Sequence, residues 1–93
     1  MHFLYIIHSP TTEKFYIGET NDFPARLHLH NSHKNIKAFT KVASDWKPKL
    51  IFNCKTREEA IYLERFIKRM KSRKFFLKIV ENSSILEGIL SKK

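Results

Sequence analysis

Apolar positions fall into three short runs and one long helical stripe. Phe3 to Ile7 (FLYII) is apolar, aromatic and β-branched, which reads as a strand. Ser9-Pro10-Thr11-Thr12-Glu13-Lys14 is turn chemistry, and Phe15-Tyr16-Ile17 reads as the returning strand of a hairpin ended by Gly18. Asn21 or Asp22 can cap a helix that carries Pro24 in its first turn and runs to about His30 or Asn31. Residues 33 to 48 are polar and basic around Ala38, Phe39, Val42 and Trp46, which suggests a short helix between long loops. A third strand is expected over Lys49 to Asn53. Thr56-Arg57-Glu58-Glu59 has capping-box spacing, and the helix it opens places Ala60, Leu63, Phe66, Ile67 and Met70 on one stripe. Ser72 is placed to cap the segment RKFFLKIV. Ser84 with Glu87 repeats the capping-box spacing before a last helix, Ile85 to Leu90. Two strands, a helix, a strand and more helices predict an α+β domain with a small, mostly antiparallel sheet.

Composition narrows the class. Ninety-three residues make a single domain, 1–93, and 42% hydrophobic residues with eight Phe argue for a packed globule. Eighteen Lys and Arg against nine Asp and Glu give a formal net charge of +9, which favours a polyanionic partner. The lone Cys54 excludes an internal disulfide and a cysteine-rich zinc site, and a reducing, cytoplasmic setting is expected. FLYII is too short for a signal-peptide core and lacks a basic leader, and no later apolar run could span a bilayer. Patterns for a P-loop, a serine nucleophile elbow, a dinucleotide fold or a zinc protease do not occur.

Five side chains carry candidate chemistry. Arg26 and His30 share a helix face, an arrangement suited to a phosphodiester: the guanidinium can bridge two phosphate oxygens and the imidazole can relay a proton. Taken alone, an R-x-x-x-H pair is more simply a solvated helix face. Glu64 lies at the edge of the apolar stripe, where a carboxylate needs a partner: a Mg²⁺-type ion, or Lys68 at i,i+4. Tyr5 and Tyr16 sit on the paired strands, and packing is the ordinary role of such tyrosines. Activating a water would require something to favour the phenolate, since the free pKa is about 10. His28 and His30 point about 200° apart on a helix, so H-x-H-x2-H with His33 is not a zinc site. Lys68-Arg69-Met70-Lys71-Ser72-Arg73-Lys74 packs five cations into seven residues. That is a candidate phosphate-binding run, or else a solvated helix end.

Together these pieces resemble the GIY-YIG nuclease superfamily. Phe3-Leu4-Tyr5 stands at the first motif, keeping Tyr5 but not the Gly and Ile, while Tyr16-Ile17-Gly18 matches the second in full. Arg26-Leu27-His28-Leu29-His30-Asn31 resembles the family's R-L-x-x-H-N helix, and Ala60 to Glu64 the later helix with the metal-binding glutamate. The likeness spans about residues 3–75 and is nearest the small stand-alone bacterial members; 76–93 reads as a helical extension. Glu19 stands where some members carry a cation.

The resemblance implies a three-stranded antiparallel sheet flanked by helices and hydrolysis of phosphodiesters with one divalent ion, Mg²⁺ or Mn²⁺, at Glu64. It makes Tyr5, supported by Tyr16, the group that activates water. Arg26 would hold the scissile phosphate, and His30 would relay a proton or orient the tyrosine. Gly18 would leave room for a nucleic-acid backbone, with Lys68, Arg69, Lys71, Arg73 and Lys74 on flanking phosphates. The expectation is a DNA endonuclease, structure-selective and acting in repair or recombination, as a monomer or weak homodimer that a protein partner could direct. A nucleic-acid-binding module that has kept the fold and lost the reaction is the second reading; a basic adaptor for an acidic protein is the third.

Overall fold

A computed structural model describes residues 2–32 and 45–92. The strands are β1 (His2–Ser9), β2 (Lys14–Thr20) and β3 (Lys47–Cys54); the helices are α1 (Phe23–Ser32), α2 (Arg57–Met70), α3 (Arg73–Glu81) and α4 (Ser84–Ser91). The expected α+β fold, a three-stranded antiparallel sheet with flanking helices, is what forms. The segment expected to hold a short helix falls largely on 33–44, as does His33, outside the described residues. No helix among the described residues is long and apolar enough to cross a membrane.

The sheet order is β2-β1-β3, with β1 antiparallel to both neighbours. A central strand covered on both faces is apolar without interruption, which accounts for the FLYII run. Leu4 and Ile6 enter one core cluster with Ile17, Ala60, Leu63, Ile67, Ile79 and Leu86. Tyr5 and Ile7 enter a second with Phe23 and Trp46, against which Tyr16 and Leu27 pack. Burying one such Leu or Ile contributes roughly 1.5–3 kcal/mol. The larger cluster therefore supplies most of the stability, and the smaller one packs around Tyr5.

β3 begins earlier than the sequence pattern suggests, at Lys47, and takes in Pro48. Pro48 pairs with Ile7 beside a register irregularity at Ile6/Ile7, on an edge strand where a missing N–H costs little. Thr56 caps α2, its hydroxyl accepting from Glu59 N at 3.2 Å. The Glu59 carboxylate accepts from Lys55 N at 2.9 Å, one residue before the reciprocal bond expected of the box. Met70 is not on the buried stripe: it is 48% exposed, because α2 ends there and Lys71 turns the chain in a left-handed conformation (φ 48°). Ser72 caps α3 as expected, accepting from Phe75 N at 3.2 Å. Ser84 does not cap α4. It lies inside the helix, and Asn82 accepts from its N–H at 3.2 Å and its hydroxyl at 2.5 Å.

Candidate active site

The site forms where α1 crosses the Tyr5 face of the sheet. Asp22 accepts from Ala25 N at 3.2 Å and starts α1, so that Phe23 and His30 fall on its buried side. Tyr5 projects from the middle of β1 and places its hydroxyl 2.9 Å from His30 Nε2. Both residues are almost fully buried, at 2% and 1% exposure. The Tyr16 ring completes the group, with its centroid 5.0 Å from that of His30 and 6.3 Å from that of Tyr5.

Burial pushes the Tyr5 hydroxyl above the ordinary tyrosine range, and the neighbouring Tyr16 adds to this while Arg26 opposes it. Tyr16 is raised too, chiefly by burial, with Lys68 pulling the other way. His30 is lowered from 6.5 to about 4 by burial and by the Arg26 charge. At neutral pH the pair is therefore a phenol and a neutral imidazole. In the Nδ1–H tautomer Tyr5 O–H donates and Nε2 accepts; Nδ1 has no hydrogen-bond partner among the described residues.

The Arg26, Glu64 and Lys68 charges all bear on this group: Arg26 on Tyr5, Tyr16 and His30, Glu64 on both tyrosines, and Lys68 on Tyr16. Tyr5, Tyr16 and His30 are thus in direct contact, and the charges of Arg26 and Glu64 reach them. Glu64 is paired, its carboxylate accepting from Lys68 Nζ at 2.8 Å across one helical turn. Among the described residues no group of three or more His, Cys, Asp and Glu converges to cage a metal. A single partly exposed carboxylate still suits a Mg²⁺-type ion, which keeps most of its waters and shares ligands with a phosphate.

Gly18 has a reason different from the one expected. It pairs with Tyr5 across the β1–β2 ladder, and a Cβ there would stand 2.6 Å from the Tyr5 hydroxyl. The space beside Gly18 is filled by the Tyr5 ring, so the glycine shapes the site from inside.

The basic run divides. Lys68, Lys71 and Arg73 border two openings at the β2 edge, and the Arg73 guanidinium lies 5.4 Å from the Phe15 ring centroid. Arg69 turns instead toward Phe66, at 5.8 Å, and Lys74 is exposed at the start of α3. Arg26 borders a separate cleft of ≈ 420 Å³ with His2, Glu19 and Arg57. There Glu19 contacts His2 and lies 3.8 Å from Arg57, so its charge is offset by a cation from α2.

Two positioning residues escaped sequence reasoning. The Asn31 side chain clamps the Trp46 backbone, accepting from its N–H at 2.7 Å and donating to its carbonyl at 3.1 Å. Trp46 in turn packs beside Tyr5 and Phe23. The final Asn of R-L-x-x-H-N was the available signal. Asp45 ties the β1–β2 turn in place, accepting from the hydroxyls of Ser9 and Thr11 at 2.6 and 2.5 Å; nothing local marks it.

The model of one protein family, described as the GIY-YIG catalytic domain, matches residues 1–76. No curated protein and no solved structure matches.

Proposed function

The chain belongs to the GIY-YIG nuclease family, and from that premise we propose a divalent-metal-dependent endonuclease that hydrolyses phosphodiester bonds in DNA. The observation that carries the reading is the buried Tyr5–His30 bond beside Arg26. Arg26 holds the scissile phosphate by bridging two of its oxygens. Tyr5 takes a proton from the attacking water as its own passes to His30 Nε2, and the resulting hydroxide attacks phosphorus as the P–O bond to the leaving oxygen breaks. The concerted path avoids a free phenolate, which burial disfavours.

Substrate prepares the base. The Arg26 charge is one of the two causes that hold His30 down, and pairing that guanidinium with phosphate weakens its hold. Each unit by which the imidazole rises lowers the cost of protonating it by about 1.36 kcal/mol. Tyr16 and Lys68 border the same centre and orient the flanking backbone. Glu64 would hold one hydrated Mg²⁺ or Mn²⁺, which when bound stabilises charge on the leaving oxygen.

The Glu64–Lys68 contact favours a second reading, a binding module, because it satisfies the carboxylate without a metal. Supercoiled plasmid mixed with the protein in Mg²⁺ or in chelator separates the two. Nicking that depends on Mg²⁺ supports the nuclease; binding without nicking in either condition overturns it.

A further inference from the structure

Phe15 on β2 and Phe76 on α3 form a half-buried aromatic floor, with ring centroids 5.9 Å apart and planes 30° from parallel. Two openings share both rings. One, of ≈ 380 Å³, is rimmed by Lys14, Lys71 and Arg73, with Glu13 as its acid. The other, of ≈ 240 Å³, is bordered by Tyr16 and Lys68. The groove therefore starts at a residue of the proposed reaction centre and runs along the outer edge of the sheet. All four rim cations are exposed.

An aromatic floor with a basic rim suits an unpaired nucleotide, whose base can stack while its phosphates meet the cations. A duplex keeps its bases stacked inside and offers phosphates alone, so it cannot use the floor. Resting on the nuclease reading, we propose that the β2-edge groove binds single-stranded nucleic acid next to the scissile phosphate, which makes the enzyme selective for strands with unpaired flanks. The Arg73 guanidinium over Phe15 adds a second flat cationic surface against which a base can stack.

The test uses the full chain in chelator, with a single-stranded oligonucleotide, the matching blunt duplex, and a duplex with a 2-aminopurine in its unpaired overhang. The parent should quench the 2-aminopurine. Phe76→Leu, which keeps apolar volume but loses the π face, should abolish the quench and lower single-strand affinity at least about fivefold. Its duplex affinity should move less than about twofold, because that affinity comes from the phosphates. Phe76→Tyr should retain the quench, and polyglutamate should compete poorly. An absent quench, equal losses on both substrates, or competition by polyglutamate matching that of the oligonucleotide would overturn the groove. Stacking without cleavage of the overhang duplex in Mg²⁺ keeps the groove and removes the nuclease reading; cleavage without stacking does the reverse.

Discussion

Gly18 and Tyr5 face each other across the β1–β2 ladder so closely that a methyl group on Gly18 would stand 2.6 Å from the Tyr5 hydroxyl and 2.7 Å from Cζ. The ring cannot swing aside, because it is packed against Phe23 and held at His30. Gly18→Ala must therefore displace the Tyr5–His30 bond. Overpacking of this kind costs about 1–3 kcal/mol. A fall in Tm of at least about 4 °C is expected, together with loss of cleavage. An unchanged Tm, read by circular dichroism, would mean that the ladder accommodates the methyl group and that the close approach is not a constraint.

Tyr5→Phe removes the hydroxyl and leaves His30 Nε2 buried without its partner. That costs about 1–3 kcal/mol of stability, more than removing an exposed tyrosine hydroxyl. If the proton passes through Tyr5, single-turnover cleavage should fall by ~10²–10⁴. Tyr16→Phe, made beside it, measures the supporting role separately. Parental rates in both variants would make the two tyrosines packing residues.

Acid should destabilise the fold before its carboxylates titrate. His30 takes up a proton near pH 6.5 when unfolded but only near 4 when folded. Between those values the unfolded chain binds the extra proton, so stability falls as pH falls, by up to about 3 kcal/mol. The Asp45 carboxyl, lowered to about 2 by the Ser9 and Thr11 hydroxyls, acts at lower pH. Its contribution is present above about 3.8 and fades as pH drops toward 2. Urea melts at pH 7, 5.5 and 4.5 read the His30 window, and His30→Gln should flatten it. Stability that holds steady or rises across that window would contradict a buried neutral imidazole.

How much of this was legible in the sequence depends on how local the cause is. Thr56 and Ser72 act on residues three positions away, so spacing found both caps. Ser84 had the same spacing, but Asn82 outcompeted it by accepting from its N–H and its hydroxyl. The places of Arg26 and His30 on α1 and of Glu64 on α2 were legible through their motifs. The purpose of Gly18 was not, because the group it avoids lies on another strand. The same holds for the Asn31–Trp46 clamp and for Asp45, whose partners are 15 and 34 to 36 residues away. Met70 continued an apolar periodicity onto the last residue of α2, where Lys71 turns the chain away and leaves it exposed.

The proposed phosphate contact of Lys71 can be removed without weakening the fold. Its left-handed conformation at the end of α2 favours glycine, so Lys71→Gly should hold or raise Tm while deleting one cation. The slope of log affinity against log salt should shrink by roughly 0.7 to 0.9, the lower figure for single strands. Arg26→Ala should instead lower the rate at saturating substrate. The assignment fails if Lys71→Gly leaves the slope untouched, or if added substrate fully rescues Arg26→Ala.

The most direct test is the rate of plasmid nicking by Glu64→Gln in Mg²⁺, run beside its melting curve. Glu64 and Lys68 form a single, partly exposed i,i+4 pair, worth only about 0.3–0.5 kcal/mol, so Tm should hardly move. Nicking should nevertheless fall to the level seen in chelator, because the proposed ion ligand is gone. A folded Glu64→Gln protein that nicks plasmid at the parental rate would contradict the account.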